Sequence, residues 1–96
     1  MGLRMKTDKL FKILADPTRR VIIDELSGQN KQTFHELRMS LSKKHKVTMS
    51  RQAITKHLVT LESAGLVTCA QSGKYKVLIF DSTPLKKVLG KWVERM

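Results

Sequence analysis

Ser50-Arg51-Gln52-Ala53-Ile54-Thr55-Lys56-His57-Leu58-Val59-Thr60-Leu61-Glu62-Ser63-Ala64-Gly65-Leu66-Val67 is the stretch on which the reading of this 96-residue chain turns. Ser50 is a good N-cap, because a serine oxygen can accept from the first free amides of a helix. Ile54, Leu58 and Leu61 then fall on one face at helical spacing. Gly65 reads as a left-handed stop, with Leu66 able to fold back onto Leu61. Arg51, Gln52, Thr55 and Lys56 are left on the polar face, two cations and two neutral hydrogen-bonding groups with no acid among them. An ordinary solvated helix mixes both signs of charge. A face of this kind suits phosphates and the edges of bases in a major groove.

The charge around this helix points the same way. The chain has 19 basic and 8 acidic residues, a formal net charge of +11, which predicts an anionic partner. No acid occurs between Glu36 and Glu62, whereas Arg38, Lys43, Lys44, Lys46, Arg51 and Lys56 all do. Lys43, Lys44 and Lys46 lead directly into Ser50, and phosphate contact is favoured for them over a merely solvated charge run. Ser50 and His57 join them as candidate backbone contacts, His57 with a packed position as its alternative.

Upstream, Leu10, Ile13 and Leu14 mark a first helix from about Thr7 to Ala15. Asp16-Pro17 starts a second, since aspartate caps and proline suits the first helical position. It carries Val21, Ile22, Ile23 and Leu26 and stops at Ser27-Gly28. Arg19 and Arg20 stand in its first turn, where the dipole disfavours cations, and pairing with Asp16, Asp24 or an acid of a second chain is expected. Thr33-Phe34-His35-Glu36 is a capping box opening a third helix with Phe34, Leu37 and Leu41 inward.

Downstream, Val67–Gln71 and Tyr75–Phe80 are strand-like and rich in Val, Ile, Phe and Tyr, with Ser72-Gly73-Lys74 as the hairpin signal between them. Lys74 and Lys76 would meet phosphate or minor groove, and Tyr75 would pack beneath them or touch the sugar backbone. Thr83-Pro84 starts a last helix whose stripe is Leu85, Val88, Leu89, Trp92, Val93 and Met96. The expected fold is mainly α, about five helices with a two-stranded antiparallel ribbon, a winged helix-turn-helix forming one domain over residues 1–96.

Composition narrows the function classes. The length leaves little room for a core and an enzyme cleft together. No Ser/His/Asp set, phosphate-binding glycine loop or paired carboxylates occur, so an enzyme is not expected. No apolar run nears the roughly 20 residues that cross a bilayer, Lys6 breaks the myristoylation pattern, and no secretory signal stands at the start. One cysteine, Cys69, excludes an intrachain disulfide and fits a reducing compartment. A soluble cytoplasmic protein is expected. Cys69 reads as a small packed strand residue rather than a sensor thiol.

Three strings then become recognisable together: Leu14-Ala15-Asp16-Pro17-Thr18-Arg19-Arg20, Ser50 to Leu58, and Leu61-Glu62-Ser63-Ala64-Gly65-Leu66-Val67. With Gly73-Lys74-Tyr75-Lys76 and Thr83-Pro84-Leu85, they resemble the ArsR-type winged-helix transcriptional regulators over nearly the whole chain. The resemblance implies a homodimer on double-stranded DNA, built through the first and last helices, and a repressor. Leu10, Leu14, Leu85, Val88, Leu89, Trp92 and Val93 would supply the contact, and a small chain has little other interior in which to bury Trp92.

Two departures from the family are visible. Its metal sensors place cysteines where this chain has Thr33-Phe34-His35, or histidine and carboxylate ligands on a last helix that here offers only Glu94. No metal or other cofactor is therefore expected, and His35, His45, His57 and Cys69 match no structural-zinc spacing. The turn before the reading helix is also longer, Ser42 to Met49, which either lengthens the third helix by about a turn or forms a longer loop. The inducing signal stays open. A winged-helix module docking an acidic protein is the alternative, against which stands the lack of aromatic or large apolar anchors on the Arg51–Lys56 face.

Overall fold

Each internal helix starts where a short polar side chain offers an oxygen to free amides. The computed structural model describes residues 2–96, and side chains from Thr7 onward, so Lys6 lies outside the described side chains. α1 spans Gly2–Ala15. It begins earlier than about Thr7, in keeping with the high helix propensity of Leu, Arg, Met and Lys in that stretch. α2 spans Pro17–Gly28, and the Asp16 carboxylate accepts from the amides of Thr18 at 2.8 Å and Arg19 at 3.1 Å. α3 spans Phe34–His45 behind a complete capping box, with Thr33 Oγ1 accepting from the Glu36 amide and Glu36 Oε1 from the Thr33 amide.

α4 spans Arg51–Ser63, capped by Ser50 Oγ, which accepts from the Ala53 amide at 3.1 Å. Its end is a Schellman motif. The Gly65 amide donates to the Glu62 carbonyl and the Leu66 amide to the Leu61 carbonyl, with Gly65 at φ +74°. Leu61 and Leu66 are both fully buried in the core. α5 spans Thr83–Arg95, where Asp81 rather than Ser82 supplies the side-chain oxygen, accepting from the Thr83 amide.

The sheet has one strand more than the ribbon expected from the sequence. β2 (Val67–Ser72) and β3 (Tyr75–Phe80) pair antiparallel through Ser72 opposite Tyr75, and β1 (Gln32–Thr33) adds to the other edge of β3, giving the order β1-β3-β2. The hairpin loop is thus Gly73-Lys74 alone. Positive φ at Gly73 and not at Lys74 fits a type II′ turn. The two residues of β1 are too few to show any alternation.

The core gathers Leu10, Ile13, Ile22, Leu26, Leu37, Leu41, Ile54, Leu58, Leu61, Leu66, Val67 and Leu78 from every element but α5 and β1. α5 buries no residue and leans on this core through Leu85 and Val88. No described helix is long and apolar enough to cross a membrane.

Candidate nucleic-acid interface

With Ile54, Leu58 and Leu61 buried, α4 has no freedom to roll, and its opposite face is set. Arg51, Gln52, Thr55 and Lys56 are all exposed there, as the sequence implies. Their states differ. The Thr55 hydroxyl donates to the Arg51 carbonyl at 2.9 Å, which spends its proton and leaves its oxygen able to accept. The Arg51 guanidinium carbon lies 4.9 Å from the centroid of the Phe34 ring. Gln52 and Lys56 make no side-chain hydrogen bond or ion pair among the described residues. His57 is half-buried near Asp16. Burial pushes the Asp16 carboxyl up, but the Arg19 and Thr18 amides, with the Arg19 and His57 charges, hold it below its ordinary value.

The segment before α4 resolves in favour of a longer third helix. α3 runs to His45, which puts Lys43, Lys44 and His45 in its last turn, where the dipole favours cations. Lys46 ends it in the left-handed conformation at φ 57°. Val47 and Met49 pack against the core, while Lys46, Thr48 and Ser50 are exposed. Lys43, in the last turn of α3, and Lys46, at its end, are both exposed to solvent. Lys44 is exposed as well, and its ammonium also lies 3.7 Å from the buried Glu25 carboxylate. His45 joins the same carboxylate at 3.3 Å.

On the wing, Lys74 and Lys76 are exposed and Tyr75 stands 66% exposed between them rather than packed beneath. A shallow cleft lined by Phe34, His35, Tyr75 and Lys76 lies between the head of α3 and this hairpin. Cationic side chains thus occur on the end of α3, on α4 and on the wing.

Other sequence expectations need correcting. Arg19 does pair with Asp16, at 3.8 Å, but its Nε also donates to the Ile13 carbonyl, and Arg20 donates to the Leu14 carbonyl at 2.6 Å. Both arginines cap the end of α1, which is why cations are tolerated in the first turn of α2. Cys69 is exposed, not packed, and its thiol lies 3.4 Å from Glu62 Oε1. Desolvation and the Glu62 carboxylate push that thiol up, away from the reactive thiolate. Among the described residues no group of three or more His, Cys, Asp or Glu is placed to hold a metal ion.

The face expected to meet a second copy is divided. Leu10 is 3% exposed and belongs to the chain's own core, which corrects its place on that list. Leu14, Leu85 and Val88 are partly buried against the same core, and Leu89 is half-buried. Trp92 and Val93 remain exposed, at 48% and 66%. Phe11, not singled out from sequence, stacks on Trp92 with ring centroids 5.9 Å apart and planes 10° apart. Its signal was spacing: Phe11 continues the apolar run of α1 on the side away from Ile13.

No protein-family model matches the chain. It is 53% identical over 87 residues to the uncharacterized HTH-type transcriptional regulator YuzN of Bacillus subtilis (strain 168), covering 91% of this chain and 95% of that protein. Among solved structures, an ArsR-like transcriptional regulator from Rhodococcus sp. RHA1 superposes with a TM-score of 0.75 at 32% identity, over 99% of this chain and 82% of that one. The crystal structure of another ArsR family transcriptional regulator gives a TM-score of 0.73 at 26% identity, over 96% and 88% of the two chains. The strings that flank α2, fill α4 and form the wing, the helix order and these similarities agree: the chain belongs to the ArsR family of helix-turn-helix transcriptional regulators.

Proposed function

We infer that this regulator binds double-stranded DNA sequence-specifically as a homodimer, with α4 in the major groove and the β2–β3 wing beside the backbone or minor groove. The observation that carries this reading is the α4 face. Arg51, Gln52, Thr55 and Lys56 stand exposed on a helix whose other side is locked into the core. A major groove about 12 Å wide admits such a helix. Arg51 suits the O6 and N7 of guanine, Gln52 the N6 and N7 of adenine, and Thr55 a thymine methyl or a base edge. Lys56, Lys43, Lys46, Lys74 and Lys76 suit phosphates, as do the Ser50 and His57 positions at the helix margin.

The exposed pair Phe11 and Trp92, with Leu89 and Val93, supports self-association through α1 and α5, and winged-helix dimers read paired half-sites. Repression by occupying a promoter is the polarity that the family likeness suggests, and the composition supports a cytoplasmic setting for it. The test is titration of a labelled random duplex over a salt series. If the dimer neutralises about 6–10 phosphates, affinity falls by several decades between low and moderately high salt. Replacing Lys43 and Lys46 by Ala flattens that slope and leaves base preference intact. Absence of salt-sensitive binding would favour a protein-docking module instead.

A further inference from the structure

We propose that Phe34 aims Arg51, so that a residue on the head of α3 sets base preference without itself touching DNA. The proposal rests on the assignment of Arg51 to a base edge. Phe34 is the first residue of α3 and Arg51 the first of α4, two consecutive helices whose first residues meet here across the length of α3 and the turn that follows it. The ring is held from two sides. The Thr33–Glu36 capping box fixes the backbone at the entry to α3, and the side chain packs partly buried against the core. It is a firm platform under a long, otherwise mobile side chain.

The way Arg51 is held differs from the other arginines with described contacts. Arg19 and Arg20 spend their N–H groups on carbonyls at the end of α1, so their donor edges are consumed by the protein. The Arg51 guanidinium carbon instead lies over the Phe34 ring, 4.9 Å from its centroid, and its side chain makes no hydrogen bond or ion pair among the described residues. A cation held over a ring face is attracted without spending an N–H on a carbonyl, so the donor fork stays free of protein acceptors for a guanine edge. The ring also removes rotamer freedom before binding, which preorganises the base contact. Gln52 and Lys56 have no such support among the described residues. The geometry therefore makes Phe34 a positioning residue for one base contact per half-site.

The experiment uses a duplex that the wild-type protein recovers from a random-sequence pool, and all single-base variants of that duplex. Binding is measured for wild type, Phe34→Leu, Phe34→Tyr, Arg51→Ala and the Phe34→Leu/Arg51→Ala double variant. Phe34→Leu is expected to reduce discrimination about two- to five-fold, the scale of an exposed cation–π contact. The loss falls at the position that Arg51→Ala also relaxes, and other positions are unaffected. Phe34→Tyr restores discrimination, and Phe34→Leu adds nothing in the Arg51→Ala background. Thermal melts confirm folding, and Phe34→Met serves in the same way if Phe34→Leu does not fold.

A uniform loss at every sequence, or an equal effect with and without the Arg51 guanidinium, would overturn the proposal and leave the base-reading assignment standing. No change in discrimination for Arg51→Ala alone would sink that assignment, and the proposal with it.

Discussion

A carboxylate almost removed from solvent needs partners, and Glu25 has three. The Gln32 amide donates to Oε2 at 2.6 Å, while His45 and Lys44 lie 3.3 and 3.7 Å from Oε1. Burial pushes this carboxyl up, but the Gln32 and His45 contacts and the Lys44 charge outweigh it and hold the group below the usual glutamate value of 4.5. A depressed folded-state pKa adds stability that is complete above the unfolded value and is lost as pH falls through the folded one. Urea unfolding should therefore show wild-type stability declining as pH drops below about 4.5, with a flatter profile for Glu25→Gln. At neutral pH the substitution should cost about 1–3 kcal/mol. Equal stability and equal pH profiles would show that the carboxylate contributes nothing. The network was not legible in the sequence, because the lysine and histidine at the end of α3 meet an acid on α2 only once the two helices pack.

At the scale of elements, the sequence was most legible where a helix began. Asp16, Thr33 and Ser50 each place a side-chain oxygen before free amides, so the starts of α2, α3 and α4 follow from local chemistry. Gly65 and Leu66 mark the end of α4 for the same reason. The end of α3 was harder to read, since no glycine marks it and Lys46 takes the left-handed conformation itself. That conformation costs a non-glycine residue roughly 1–2 kcal/mol. Lys46→Gly should accordingly raise stability by up to about 1 kcal/mol in denaturant melts while weakening DNA binding, because it removes a proposed phosphate contact. A loss of stability would mean that the Lys46 side chain holds the turn. β1 escaped notice because two residues have no period. The arginine caps on α1 and the Phe34–Arg51 contact escaped it because long side chains reach across element boundaries.

For the whole molecule, the positive charge and the exposed aromatic pair point to two different partners. The formal net charge of +11 disfavours bringing two copies together without compensation. The Phe11–Trp92 stack offers the apolar area that such compensation needs. Trp92→Ala should weaken self-association by up to about 3–5 kcal/mol, the range for truncating an aromatic that becomes buried. Sedimentation equilibrium reads this directly, and a wild-type protein that stays monomeric at high concentration would contradict the two-half-site arrangement. The central claim is that the α4 face reads bases, and binding of Gln52→Ala and Lys56→Ala across single-base variants of a selected duplex tests it most directly. Gln52→Ala should cost about 1–3 kcal/mol on the selected site and relax preference at one or two symmetric positions, whereas Lys56→Ala should weaken all variants evenly. Uniform weakening by Gln52→Ala, with every base preference unchanged, would contradict the account.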